Sequence, residues 1–234
     1  MNPEELVSYT PSSSTSDAVK TRRSLRDFLP TEVSQSTIET LLESAARAPS
    51  GTNMQPWQVY VVRGATRDAL CDAVCHAFDN EQGQHEGEER YYPQKWFEPY
   101  ISRRRKVGWD LYGLLGIEKG DRDRMHAQHR RNFRFFDAPI GVIFTIHRDL
   151  AVGSWLDYGM FLQNIMLLAR EAGLHTCPQA AWSDFHKPIR RVLPLPEHEI
   201  VVCGMAVGYA NPEAVENSLV TERAELGDFT QFFD

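Results

Sequence analysis

Residues 154–174, SWLDYGMFLQNIMLLAREAGL, constrain the fold more than any other stretch of the chain. The spacing predicts a helix with Ser154 as its cap and Gly173 as its stop, apolar on nearly every face from Trp155 to Leu168. A helix without a polar face is not a surface helix. It must be covered on every side, either centrally in a domain or at a contact between subunits. The chain has 234 residues, enough for one large core or two small ones. No internal repeat and no linker divides it, so one domain is expected over 17–234 after a loose polar arm at 1–16.

The elements around this helix follow from periodicity. In VSQSTIETLLESAARAP, Ile38, Leu41, Leu42, Ala45 and Ala46 share a helical stripe, Ser36 and Glu39 match a capping box, and Pro49 ends the run. WQVYVV (57–62) is rich in β-branched and aromatic residues and reads as a strand. TRDALCDAVCHAF is a second amphipathic helix, and SDAVKTRRSLRDF a short one that stops near Ser24. IGVIFTI (140–146) and EIVVCGMAVGYA (199–210) read as buried strands, where Gly204 and Gly208 point to close packing. HTCPQAAWSDF (175–185) reads as a polar, Pro-punctuated loop. Residues 79–135 mix charge blocks with aromatics and read as a surface excursion, either a lid over a pocket or a packed subdomain. Helices and strands do not alternate regularly, so the class is α+β.

Composition narrows the function. The net charge of −7 argues against nucleic acid as the main partner, although SRRRK (102–106) is locally basic. Four cysteines without disulfide spacing, no basic and apolar leader, and no membrane-length apolar run together point to a cytoplasmic protein. His126 and His129 share a helical face, but no third ligand is evident, so no metal is expected.

Four segments could carry chemistry. TRRSLRDF crowds Arg22, Arg23 and Arg26 around Ser24, an anion cradle or a solvated basic face. The turn after the first long helix packs Pro49, Ser50, Gly51, Asn53, Gln55 and Pro56 into one short stretch, far more punctuation than a connector needs. In the Pro-punctuated stretch of Pro178, Gln179, Ala180 and Ala181, the two small alanines leave backbone N–H groups accessible, and Thr221 and Arg223 could add anion donors near the end. No GxGxxG follows a strand, so no dinucleotide-binding Rossmann unit is expected.

Taken in chain order, RRSLRDF, ARAPSGTNMQPW, GLHTCPQAAW, VVCGMAVGYAN and TERAEL resemble the landmarks of the FMN-dependent nitroreductase family, and its bacterial nitrobenzoate-reducing members in particular. The resemblance covers roughly residues 17–230. It implies a central, mostly antiparallel sheet flanked by helices, in an intertwined homodimer with FMN in a cleft at the interface. It also implies that Arg22, Arg23, Ser24 and Arg26 come from one subunit and Pro49, Ser50, Gly51, Asn53 and Gln55 from the other. Pro178, Gln179, Ala180 and Ala181 would line the flavin ring, and Arg223 would reach the phosphate. Arg26 stands where many members carry lysine, and would supply a cation beside the electron-rich edge of the reduced ring. No side chain need act as acid or base. NADH or NADPH would serve as co-substrate, and a small aromatic acceptor, a nitroarene reduced to the hydroxylamine level, would follow on the same face in a ping-pong cycle. Tyr91, Trp96 and Tyr100 are the expected acceptor-side residues of the lid. Other acceptors known on this fold, through reductive dehalogenation, enone or quinone reduction or flavin fragmentation, are the alternatives, as is a non-catalytic flavin-binding protein.

Overall fold

A computed structural model describes residues 6–234. Among these residues the chain forms seven α-helices and four strands: α1 Thr15–Thr21, α2 Gln35–Ala45, β1 Gln58–Val62, α3 Gly64–Asn80, α4 Tyr100–Leu114, α5 Arg122–Arg130, β2 Ile140–His147, α6 Val152–Glu171, β3 His175–Gln179, α7 His186–Val192 and β4 Glu199–Gly208. The strands make one sheet in the order β1-β2-β4-β3, and every pairing in it is antiparallel.

The side-chain alternation of β2 explains the layers. Ile140, Val142, Phe144 and Ile146 point to a core shared with Ile38 and Leu41 of α2 and Tyr158, Phe161 and Ile165 of α6. Ile143 points to the opposite core, with Leu70 and Val74 of α3, Ile189 of α7 and Trp182. Small residues in the strands let large rings lie flat on the sheet. A Cβ on Gly204 would stand 2.3 Å from Trp182, and one on Gly141 2.3 Å from Phe135. The close packing expected of Gly204 is thus a seat for an indole.

Several local expectations change. The cap of α2 is Ser34, whose Oγ accepts from Thr37 N at 3.1 Å, rather than Ser36. α6 begins at Val152 with Ala151 as its cap, and Ser154 lies buried inside it. Within one chain α6 is covered on one side only, for Val152 (77% exposed), Leu156 (71%) and Met160 (39%) form an open apolar stripe. Residues 175–185, expected as a loop, form β3 and a 3-10 turn over Ala180–Phe185. The excursion holds α4 and α5, and its end belongs to the core: Phe133 and Phe135 are fully buried, as is Phe136 just after them. Residues 1–5 of the expected arm lie outside the described residues. Further along it, Arg170 donates to Thr10 O at 2.6 Å, and Ser12 N donates to Arg170 O at 2.9 Å.

Candidate functional site

The basic segment is fixed by the sheet. α1 ends at Thr21, and the chain then runs extended beside β3, with a parallel bridge between Ser24 and Thr176 and an antiparallel one between Phe28 and Ala210. Leu25 and Phe28 are buried as anchors. Arg22 and Arg23 before them, and Arg26 between them, are only half-buried.

A buried asparagine ties this segment to the C-terminal one. Asn217 Oδ1 accepts from Arg26 N at 2.7 Å, and its Nδ2 donates to Asp27 O at 2.8 Å and Asn211 O at 2.9 Å. Its own carbonyl accepts from the Arg23 guanidinium and from Tyr9 Oη. Arg131 adds a second brace, paired at once with Asp27 and the buried Glu216. The segment after Asn217 carries the exposed Arg223, close enough to Arg22 for its charge to act there. Burial first, and the Arg223 charge second, lower the Arg22 pKa.

Among the described residues, no carboxylate lies within ion-pair distance of Arg22, Arg23, Arg26 or Arg223, whereas Arg130, Arg131 and Arg134 are each paired with one. Arg23 Nε and Nη2 are buried without a partner. Arg22 and Arg26 both act on Cys177, and Arg223 acts on Arg22, so these three guanidiniums are held near one another without a counter-charge and favour an anionic ligand, whereas Arg23 faces Tyr9, Arg170 and His175. Gln179 follows on β3. Its Nε2 donates to Asn132 O at 2.7 Å, and its Oε1 is buried with no partner. Pro178, Ala180 and Ala181 beside it are partly exposed. Cys177 is buried, and burial, the largest effect, raises its thiol pKa against the pull of Arg26 and Arg22, which does not make a nucleophile.

The loop after α2 is built separately. Gly51 N donates to the buried Asp157 of α6 at 3.0 Å, and Ser50 Oγ accepts from Gln55 N at 3.0 Å. Thr52, Asn53 and Gln55 take the left-handed conformation, with φ of 49°, 60° and 50°. Three such non-glycine residues in one turn are strained, and Gly51 through Gln55 are exposed. Asp157 holds this loop near the start of α6, while Arg22 touches Met166 further along. The two points are roughly 13 Å apart along the axis. The chain therefore anchors the 49–55 loop and the arginines at separate places on α6.

The aromatic residues of the excursion sit in different surroundings. Tyr91 is 69% exposed and lines a cavity with Trp155, whereas Tyr100 is 49% exposed at the start of α4. Trp96 packs under Arg104 at 4.9 Å. Lys106 of α4 reaches Glu222 at 3.3 Å, next to Arg223. Among the described residues no group of three His, Cys, Asp or Glu is placed to hold a metal, and no helix is long and apolar enough to cross a membrane.

Asn217 and Asp157 are the site-building residues that sequence patterns miss. The only available hint is that Asp157 is the lone acid between Ser154 and Ala169.

An antiparallel sheet with an unneutralised arginine cradle along its edge strand defines a class, an α+β protein suited to an anionic ligand. The chain belongs to the Nitroreductase family, whose sequence profile matches residues 19–209. It is 40% identical to a 4-nitrobenzoate reductase of Nocardioides sp. strain LMS-CY, over 92% of this chain and 87% of that protein. It is 39% identical to a nitrobenzene nitroreductase of Ectopseudomonas oleovorans, over 92% of this chain and 95% of that one. The crystal structure of the FMN and NADPH-dependent nitroreductase NfnB from sphigopyxis sp. strain HMH superposes with a TM-score of 0.92 at 36% identity, covering 94% of this chain and 99% of that one.

Proposed function

We propose that this protein is an FMN-dependent NAD(P)H oxidoreductase that reduces nitroaromatic compounds to the hydroxylamine level, working as a cytoplasmic homodimer. The observation that carries the reading is the group of Arg22, Arg26 and Arg223 without a carboxylate partner. Arg22 and Arg223, whose charges oppose each other, are suited to a phosphate dianion between them. Arg23 and Ser24 complete that end of the site. Arg26, fixed through its backbone by Asn217, supplies the cation beside the ring. Pro178 and Gln179 pack along the ring, Ala180 and Ala181 present backbone N–H groups to its polar edge, and the unpartnered Gln179 Oε1 lies beside them. When bound, FMN supplies the redox chemistry that links the nicotinamide donor to the nitro acceptor.

The homodimer is supported by what one chain leaves open. Val152, Leu156 and Met160 on α6, and Phe229 (70% exposed), Phe232 (82%) and Phe233 (87%) near the end, are apolar side chains in water. The strained Pro49, Ser50, Gly51, Asn53 and Gln55 loop would then close the partner's site. Tyr91, Trp96 and Tyr100 lie on the acceptor side. Four free, buried cysteines suit a reducing cytoplasm.

The test is an acceptor panel on the purified, FMN-loaded dimer with NADH or NADPH. Nitrobenzoate and nitrobenzene should be turned over faster than quinone, enone or iodophenol acceptors. Faster turnover of any of those, or a flavin-loaded monomer by light scattering, would overturn the respective part of the reading.

A further inference from the structure

Two carboxylates sit next to the arginine segment, and one guanidinium holds both. Asp27 follows Arg26 in the chain, and Glu216 precedes Asn217. They flank the contact in which Asn217 Oδ1 accepts from Arg26 N at 2.7 Å and Asn217 Nδ2 donates to Asp27 O at 2.8 Å. Among the described residues, neither carboxylate is paired with Arg22, Arg26 or Arg223. Instead Arg131 donates through Nη2 to Asp27 Oδ2 and through Nη1 to Glu216 Oε1, with Asp137 Oδ2 at 3.6 Å from the same Nη2. The second oxygen of Asp27 accepts from Asn211 Nδ2 at 2.9 Å.

The group is shielded from water. The Glu216 side chain is 7% exposed, and those of Asp27 and Arg131 are 24% and 23% exposed. Two carboxylates this close repel, and a shared cation offsets the repulsion more strongly here than it would at the surface. Arg131 is itself fixed by packing. It opens the turn Arg131–Asp137 after α5 and lies 6.0 Å from the ring centre of the buried Phe136. Its neighbours Arg130 and Arg134 pair elsewhere, with Asp79 and Asp137. The next residue reaches the other half of the proposed site, since Asn132 O accepts from Gln179 Nε2 at 2.7 Å.

We infer that Arg131 is a positioning residue of the flavin site, which occupies the two carboxylates flanking the Arg26–Asn217 contact and so leaves Arg22, Arg26 and Arg223 free for an anion. This rests on the proposed FMN binding. Without Arg131, Asp27 and Glu216 repel one another across that contact and compete for the arginines beside them. Their uncompensated charge opposes the phosphate dianion, and it opposes the negative charge that gathers on the ring on reduction. FMN then binds more weakly, and the bound flavin is harder to reduce. A brace that acted by packing alone would show no dependence on the two carboxylate charges.

The test compares the full-length parent with Arg131→Gln, with Arg131→Lys, and with Arg131→Gln combined with Asp27→Asn and Glu216→Gln. The readouts are fluorescence titration of apo-protein with FMN and the midpoint potential of the bound flavin. Arg131→Gln should weaken FMN binding at least about tenfold, the worth of one charge-assisted bond, and move the midpoint to more negative values. Arg131→Lys keeps the charge without the fork and should recover part of both. The triple variant removes the carboxylate charges together with the cation and should recover most of the lost affinity and potential. If Arg131→Gln does not fold, Asp27→Asn with Glu216→Gln and Arg131 retained should bind FMN at least as tightly as the parent, at a more positive midpoint. Parent-like affinity and midpoint in Arg131→Gln, a triple variant as weak as Arg131→Gln, or weaker FMN binding in the double variant would overturn the inference. A parent that takes up no FMN would instead contradict the proposed activity.

Discussion

Replacing Asn217 by Ala tests whether one buried amide holds the arginine segment to the C-terminal segment. The side chain is 1% exposed and makes three hydrogen bonds. Asp27 O keeps a donor after truncation, because Asn211 N also reaches it at 3.1 Å. Arg26 N–H loses its side-chain acceptor and is left in a confined site. An unsatisfied buried group costs about 1–3 kcal/mol, and the other two bonds about 0.5–1.5 kcal/mol each, so the total is about 4 kcal/mol. For a chain of this size that lowers Tm by about 8–16 °C. With Arg26 and Arg223 no longer held in register, FMN affinity should fall about tenfold, the worth of one charge-assisted bond. Thermal melts with and without FMN, and fluorescence titration of apo-protein with FMN, measure both. A Tm within about 2 °C of the parent, with unchanged FMN affinity, would refute the role given to Asn217.

The remaining predictions address the cradle, the arm and the packing. Arg22→Ala and Arg223→Ala should each weaken FMN binding by about 1.5–3 kcal/mol without destabilising apo-protein, since each removes a like charge facing the other. Parent-like FMN affinity in both would remove the phosphate assignment. His175 is buried beside Arg170, and burial, then that charge, lower its pKa from 6.5 to about 4. Between these values the unfolded chain binds the proton and the folded chain does not, so stability falls as pH drops through this window. From pH 7 to pH 5 the His175 share is about 2 kcal/mol, and burial lowers His129 and His186 in the same direction. Urea unfolding at the two pH values should show the loss, and His175→Phe should reduce it; an identical pH slope in that variant would exclude His175 as a source. Gly204→Ala would drive a methyl into Trp182 and should cost at least about 1–3 kcal/mol by overpacking, whereas an unshifted urea midpoint would mean that the indole moves freely.

What was legible in the sequence depended on repetition. α2, α3, β1, β2, β4 and α6 were readable because their apolar positions recur at a fixed period. β3 was not, because Pro178 sits inside it. The proline is tolerated because β3 is the last strand of the sheet, paired in the ladder with β4 alone. Phe133 and Phe135 fall in the 79–135 stretch, where charged neighbours point to the surface, and Phe136 follows them. In the fold, left-handed residues at Phe135, Phe136 and Asp137 turn the chain so that all three rings enter the core. In the site, arginine density and loop punctuation were readable as chemistry. Asn217 and Asp157 were not, because each acts singly, through a backbone group far away in sequence. Nor could the pattern show that α6 keeps an open stripe, since an all-apolar helix looks the same whether its second face meets its own chain or another.

The central claim is that the unpaired arginines hold FMN in a nitro-reducing site. The most direct measurement is an anaerobic titration of the purified protein followed by its visible absorption. NADH or NADPH should bleach the FMN bands stoichiometrically, and nitrobenzoate added afterwards should restore them as its nitro group is consumed. Protein that carries no flavin and takes up none, or flavin bands that NAD(P)H leaves untouched or that nitrobenzoate fails to restore, would contradict the account.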